Sequence, residues 1–417
     1  MLWRLVGTFP SFLRALNSRN YRLFFAGQSV SLVGNWMNTT ASAWLAYELS
    51  HSAFIVGLVP FANQIPLLML APAGGVLGDR RDRCALLVGF QVVCTLRSNG
   101  LAIVTLTGQV TVAVLVVLAA LRGLVNAVEF PTRQSFIVEL VERKDDLPNA
   151  IALNSSMFNL ARLVGPTIAG VLIVVAGPGL CYVLDAISFL PIIASLLAMR
   201  LPARVARTVA AHPLEELRAG WRYAKATLVL RAPLLMVPML SLTGLAASVL
   251  APVYARDIFH RDARTLGVML SAMGLGALAS ALFLGTRTSA VGLTRWVARG
   301  AALIALAQIG YAVSGWLPFS LLCLVANGTG TVLVLAGCNT LIQAQVDDDK
   351  RGRIMGLFAM GQGMFPVGSL IVGSLAQMVG ARFAMAACAL MTLATAAIYA
   401  RYTRSPGPSD ASEKMYA

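Results

Sequence analysis

Twelve stretches of this sequence are long and apolar enough to cross a bilayer as helices, and they leave little of the chain over. A helix needs about 20 predominantly apolar residues to span the hydrocarbon core. The stretches run over Leu23–Leu49, Phe54–Gly78, Cys84–Thr107, Val110–Phe130, Asn149–Ala176, Leu180–Met199, Leu234–Ala255, Leu266–Gly285, Trp296–Ser314, Pro318–Gln343, Ile354–Val379 and Arg382–Arg401. Of the 417 residues, 58% are hydrophobic and 12% charged, against roughly 25% charged in a soluble domain. Inside lipid every backbone N–H and C=O needs a partner within the fold, and helices provide one locally. The sequence therefore predicts an all-α integral membrane protein with twelve transmembrane helices.

A net charge of +15 raises the question of a polyanionic partner, which the placement of the charges answers. With a cytoplasmic N-terminus, only Arg256, Arg261, Arg264 and Arg382 of the 33 Lys and Arg residues fall on the far side, and Arg97, Arg122 and Arg162 lie within spans. That asymmetry is the positive-inside rule. It predicts a multi-pass protein of a bacterial cytoplasmic (inner) membrane with both termini cytoplasmic, and no nucleic acid partner, since no basic run is interleaved with aromatics. Arg14 to Phe25 reads as an interfacial segment leading into the first span, which is too long for a signal-peptide core. The six cysteines are scattered through apolar sequence without a CxxC pair and read as small buried hydrophobes.

The longest polar connection, from Arg200 to Arg231, divides the spans six and six. The implied organisation is an interfacial segment over 1–22, an N-terminal six-helix bundle over 23–200, a cytoplasmic linker over 201–231 with a surface helix from Pro213 to Ala226, a C-terminal six-helix bundle over 232–401 and a cytoplasmic tail over 402–417. An internal repeat supports two halves from one plan. Gly165 and Gly170 follow the polar segment Val141–Asp146, and Gly368 and Gly373 keep the same separation after Val346–Arg351. Likewise, Ser52 to Gly57 opens the second span as Asp262 to Gly267 opens the eighth. Parallel repeats of this kind are the layout of a transporter whose halves rock around a central site.

Between the second and third spans lies Gly75-Val-Leu-Gly-Asp79-Arg80-Arg-Asp-Arg83. Its charges would be costly in lipid, so it reads as a short aqueous turn. Gly75 permits close helix approach, and Asp79 suits the positive end of a facing helix. The spacing of Gly75, Asp79, Arg80 and Arg83 resembles the signature loop of the major facilitator superfamily, with Asp82 where relatives often carry Gly. The resemblance covers nearly the whole chain and implies the major facilitator fold, with this loop gating the cytoplasmic side against the start of span eleven near Arg353 to Gly356. In the fifth span Gly165, Pro166 and Gly170 resemble the kinked motif of proton-coupled exporters. The phrases around Trp44 to Ser50, Ala73 to Arg80 and Leu184 to Phe189 resemble the branch of enterobactin exporters and macrolide efflux proteins.

Charges kept inside a membrane usually face a cavity or a partner. In the fourth span Arg122, Asn126, Glu129 and Arg133 share one helical face, and in the fifth Ser155, Asn159, Arg162 and Pro166 repeat the spacing. Two such stripes on consecutive helices imply a shared wet seam, with Glu129 pairing with Arg122, Arg133 or Arg162. Arg97 and Asp185 complete the set, which fits either a proton relay or a static ion-pair network. Well inside spans seven to twelve there is no charged residue. That half offers Gln343, Met360 and Gln362, which with Asn159 are the candidates for a substrate pocket, flexible methionines suiting varied apolar shapes.

The resulting expectation is proton-driven export, by antiport and alternating access, of a small amphipathic molecule such as a drug or siderophore. A monomer with no cofactor or metal suffices, its partners being the substrate, protons and the bilayer. An importer or lipid translocator of the same fold is the alternative. A membrane enzyme or sensor is disfavoured: His51, His212 and His260 are far apart, and no phosphate-binding Gly-rich loop is present.

Overall fold

The computed structural model describes residues 10–80, 82–199, 221–223, 225, 228–287, 292–346 and 350–404, with the side chains of residues 11, 71–80, 144, 228–229, 351–353 and 403–404 outside that description. Most of the linker and of the surface helix expected from Pro213 to Ala226 lies outside it too. The described backbone is helical throughout, without strands. The first half holds α1 (Arg19–Ser50), α2 (Ala53–Arg80), α3 (Arg83–Leu106), α4 (Val112–Leu140), α5 (Leu147–Ala176) and α6 (Pro178–Leu197). The second holds α7 (Leu228–Thr243), α8 (Ala263–Gly285), α9 (Leu293–Val313), α10 (Leu317–Gln345), α11 (Arg351–Gln362), α12 (Phe365–Val379) and α13 (Ala381–Arg404).

Eleven helical stretches among the described residues are long and apolar enough to cross a membrane. The twelfth expected span, α1, has ample length at 32 residues but carries Gln28, Asn35, Asn38 and several hydroxyl side chains that lower its hydropathy. Outward-facing side chains suit lipid: Val313, Met378 and Phe383 are 72%, 82% and 73% exposed, a surface that water would not tolerate in such quantity.

Helix ends follow local chemistry. Asp82 caps α3, its side chain accepting from the Ala85 N–H at 2.8 Å, so the residue that replaces the usual turn glycine has a structural role of its own. Asp82→Ala removes this cap and is expected to cost about 1 kcal/mol, read as a lowered unfolding midpoint of the detergent-solubilised protein. Thr111 caps α4 in the same way through the Val114 N–H at 3.3 Å.

Two expected spans are interrupted. After α7, residues 244 and 245 form a turn, followed by short helical turns Ala246–Val249 and Ala251–Val253 and a π-turn over Tyr254–Ile258. The backbone groups so freed are held by side chains. Gln308 donates to the Thr243 and Gly244 carbonyls at 2.9 and 3.2 Å, Asn327 donates to the Gly244 carbonyl at 3.5 Å, and Thr243 and Thr392 share a hydrogen bond of 2.8 Å. The eleventh expected span likewise divides into α11 and α12 around Gly363. Broken helices survive in a membrane when neighbours re-satisfy the backbone in this way.

The helices gather into two compact units, and each takes in one short segment from the other half of the sequence: Arg261–Ser271 belongs with the first-half helices, Ser52–Phe61 with the second-half ones. In the first unit Tyr21, Phe24, Leu87, Cys94, Phe136 and Phe189 form the main buried cluster. In the second, Met236, Leu240, Val297, Ile304, Val334 and Tyr399 do so. The repeated glycines mark where these crossing segments pack. A Cβ on Gly170 of α5 would stand 2.8 Å from the Ala263 carbonyl oxygen and 3.1 Å from the Gly267 Cα. A Cβ on Gly373 of α12 would stand 2.7 Å from the Ala53 carbonyl oxygen and 3.0 Å from the Gly57 Cα. Thus the same glycine pair is used once in each unit. The repeat extends to the connections, since Gly177 after α5 and Gly380 after α12 both take positive φ, +77° and +89°, which favours glycine.

Hydroxyl and amide groups reinforce both crossings. Thr167 and Ser271 share a hydrogen bond of 2.7 Å, while Ser52 donates to Gln377 Oε1 at 2.9 Å and Ser369 to the Gly57 carbonyl at 3.1 Å. At its start the first unit is fastened by a 3₁₀ turn over Ser11–Asn17, which leads into α1. Arg14 pairs with Asp146 at 3.1 Å, and Asn149 bridges the Ala15 N–H and the Phe12 carbonyl.

Candidate functional site

Charge within the first unit is organised around two carboxylates. Asp185, on α6, is completely buried. Its Oδ2 accepts hydrogen bonds of 2.7 Å from Asn38 on α1 and 2.7 Å from Ser98 on α3, and Arg97 stands 3.5 Å away. Arg97 also donates to Ser98 at 3.0 Å. The second oxygen, Oδ1, has no hydrogen-bond partner among the described residues. One carboxylate thus ties together three helices.

Glu129, on α4, is 2% exposed and forms the other centre. Arg122 donates to its Oε2 at 3.2 Å, and Arg133 and Gln91 to its Oε1 at 3.3 and 3.2 Å. Arg122 also reaches the Cys94 sulfur and lies 5.9 Å from the Phe189 ring centroid. Seven- and four-residue separations place Arg122, Glu129 and Arg133 on one face of α4. Asn126, on the same stripe, is part-buried and forms no hydrogen bond to a described residue.

Helix α3 joins the two centres. Gln91, Cys94, Arg97 and Ser98 repeat at three, three and one residues along a single face, Gln91 and Cys94 meeting the Glu129–Arg122 pair while Arg97 and Ser98 meet Asp185. Neither Gln91, Cys94 and Ser98 nor Asn38 was singled out from the sequence. The signal was there in the helical spacing of polar residues around Arg97, and Cys94 is more than a buried hydrophobe. Chemically, each centre is a buried acid held by one or two guanidinium groups: a proton on Asp185 would loosen contacts of α6 with α1 and α3, whereas one on Glu129 would loosen ion pairs within α4 and the Gln91 contact to α3.

The stripe on α5 does not join this seam. Arg162 lies 5.7 Å from the Trp36 ring centroid on α1, and Asn159 donates to the Ser155 carbonyl of its own helix at 2.9 Å. Its spacing matches that of the α4 stripe, but α5 turns this face to α1. A Cβ on Gly165 would stand 2.5 Å from the Trp36 Cβ, so α1 and α5 are in close contact there. Despite Pro166, α5 runs unbroken.

The gating-loop residues Gly75, Asp79 and Arg80 lie at the end of α2, their side chains outside the described ones, as are those of residues 351–353. Arg83 is described: it is buried and donates to Glu139 on α4 at 2.8 Å. In the second unit Gln343, Met360 and Gln362 are exposed, and Gln343 donates to Asn339 one turn back. The buried polar groups described in that unit include Gln308, Asn327, Thr243 and Thr392, all uncharged. No cluster of His, Cys, Asp or Glu suited to a metal is present among the described residues.

Comparison with known proteins agrees with this architecture. A family profile described as transmembrane secretion effector, of the major facilitator superfamily, matches residues 11–415. Among curated relatives the chain is 24% identical to a staphyloferrin A transporter of Staphylococcus aureus over 86% of this chain and 90% of that one. It is 25% identical to the enterobactin exporter EntS of Citrobacter koseri, over 86% and 85%, and 27% identical to the multidrug efflux pump Tap of Mycolicibacterium fortuitum, over 88% and 92%. Among solved structures, a bacterial homologue of the lysosomal transporter Spinster in an inward-facing, occupied conformation superposes with a TM-score of 0.72 at 14% identity, covering 94% of this chain and 97% of that one. A bacterial homologue of the iron transporter ferroportin, inward-facing, gives 0.70 at 15% identity over 93% and 99%.

Proposed function

Since this chain belongs to the transmembrane secretion effectors of the major facilitator superfamily, integral membrane transporters of small molecules, we propose that it is a proton-driven exporter, an antiporter of amphipathic compounds such as drugs or siderophores. The observation that carries the reading is the pair of buried acids, Glu129 and Asp185, each held by arginine, Asp185 linking α6 to α1 and α3 and Glu129 linking α4 to α3 through Gln91. Protonating Glu129 removes the charge that holds Arg122 and Arg133. Protonating Asp185 does the same to Arg97 and weakens the acceptor shared by Asn38 and Ser98. A proton then exchanges an ion-paired arrangement of α1, α3, α4 and α6 for a looser one, and alternating access follows if substrate and proton favour opposite arrangements.

The glycine crossings fit this scheme. In a chain of twelve alternating spans, the starts of α2 and α8 and the ends of α5 and α12 share the membrane face away from the termini. Both crossings thus lie toward that face, and their parting is the step assigned to export. The gating loop of Gly75, Asp79, Arg80 and Arg83 serves the opposite face, and Gly165, Pro166 and Gly170 shape α5 as the antiporter motif. The location is a bacterial inner membrane with cytoplasmic termini, and one chain working as a monomer carries both halves of the pathway.

The test is transport in proteoliposomes under an imposed pH gradient. Glu129→Gln and Asp185→Asn keep shape and lose the titratable proton. Each is expected to lower gradient-driven flux by roughly 10²-fold or more, in keeping with general contributions of positioned proton-transfer groups, while substrate exchange without a gradient continues. Full gradient-driven flux in both variants would reject the carrier role and leave the static ion-pair network. Uptake rather than extrusion along the same gradient would favour an importer or a lipid translocator.

A further inference from the structure

Arg162 is a guanidinium without a carboxylate. It lies 15 residues after Leu147 and 14 before Ala176 in α5, roughly 22 Å from either helix end at 1.5 Å per residue, and so at mid-membrane depth. No described residue forms a hydrogen bond or ion pair with it; its neighbour is the face of Trp36 at 5.7 Å. Glu129 and Asp185, the acids buried within the spans of this unit, are committed to Arg97, Arg122 and Arg133. An unpaired charge at this depth is costly and is retained where it has a task.

Its surroundings specify that task. The Trp36 indole N–H is buried without an acceptor, a second donor on the same patch. Phe158, one turn before Arg162, meets Trp36 edge-to-face at 5.7 Å between centroids and is 44% exposed. Gly165 lets α1 approach so closely that the tryptophan is fixed against α5. The patch therefore offers positive charge, an indole donor and two aromatic faces, and no acid. Arg pairs well with carboxylates through two parallel N–H groups, and rings stack on its plane and on neighbouring aromatics.

We propose that Arg162, Trp36 and Phe158 form a binding site for an organic anion bearing an aromatic ring, an aromatic carboxylate being the simplest such ligand. This deepens the exporter reading and rests on it for its physiological meaning. An anionic lipid headgroup offers the same charge, but its phosphate sits at the helix ends, a half-membrane away from Arg162.

Equilibrium dialysis with radiolabelled salicylate, on the full chain in nanodiscs without any pH gradient, tests the site. Salicylamide serves as the uncharged counterpart. Discs of phosphatidylcholine alone are compared with discs containing phosphatidylglycerol. Expected are saturable salicylate binding in both discs, weaker binding of salicylamide, and a loss of roughly 10- to 100-fold in R162Q, the range for a hydrogen bond to a charged group. R162K, which keeps the charge and guards against misfolding of R162Q, falls between, and W36F weakens salicylate. No saturable binding by the unaltered chain, equal binding by R162Q, or equal binding of salicylamide overturns the proposal. Suppression by phosphatidylglycerol to the R162Q level overturns it in favour of a lipid site. Because the assay uses no gradient, its failure alongside intact proton-driven flux leaves the exporter reading standing. Loss of that reading through Glu129→Gln leaves the binding result untouched.

Discussion

Asp185→Ala is expected to destabilise the first unit by about 3–5 kcal/mol, the range for removing one partner of a buried ion pair. The loss is large because three groups converge on one oxygen. Arg97 is left charged and buried, and Asn38 and Ser98 lose an acceptor at 2.7 Å. Asp185→Asn, which can still accept at one oxygen, is expected to be milder. Removing both charges together, in Asp185→Leu with Arg97→Met, should recover much of the loss, since a buried pair is often replaceable by apolar side chains. Unfolding midpoints in detergent for Asp185→Leu, Arg97→Met and the pair form a double-mutant cycle. A double variant that loses as much as the two single variants summed would show that Asp185 and Arg97 do not depend on each other.

Gly373→Leu and Gly170→Leu are expected to reduce transport by roughly 10- to 100-fold, corresponding to overpacking of about 1–3 kcal/mol. Each new side chain would meet backbone, the Ala53 or Ala263 carbonyl and the facing glycine, at 2.7–3.1 Å, and backbone cannot rotate aside. The helices must separate, which disfavours the arrangement in which the crossing is closed. A cysteine introduced at Ser52 should then react faster with a membrane-impermeant maleimide in Gly373→Leu than in the parent. Gly89→Leu is the control, because nothing lies within 4 Å of that position. Unchanged labelling and unchanged flux in both crossing variants would show that the contacts do not gate anything.

Much of this architecture can be read from the chain before any coordinates. Apolar length marks the spans, since water and lipid sort side chains so strongly, and the paired glycines reveal the repeat because close backbone approach excludes other residues. The breaks in α7 and between α11 and α12 leave a fainter trace. Gly244 and Gly363 sit among residues that suit a continuous helix, and the groups that hold the α7 break, Gln308 and Asn327, come from distant helices. At the site, formal charge points to Arg97, Arg122, Glu129 and Asp185, whereas Asn38, Gln91, Cys94 and Ser98 are neutral and blend into helices rich in small polar residues. Helical periodicity shows which side chains share a face, but not which neighbour that face meets. For that reason Arg162, with the same spacing as the α4 stripe, was expected beside Glu129 and is found on Trp36.

The neutral amide and hydroxyl network around the α7 break has an electrical consequence. A membrane potential does work only on charge, about 2.3 kcal/mol per elementary charge per 100 mV. Gln308, Asn327, Thr243 and Thr392 carry none, so exchanging hydrogen bonds within that network is silent to voltage. Arg97, Arg122, Arg133 and Arg162 outnumber Glu129 and Asp185, so the first unit keeps a net positive interior even with both acids ionised. Transient currents evoked by voltage steps should therefore respond to charge substitutions on α3 to α6 and be indifferent to Gln308→Leu.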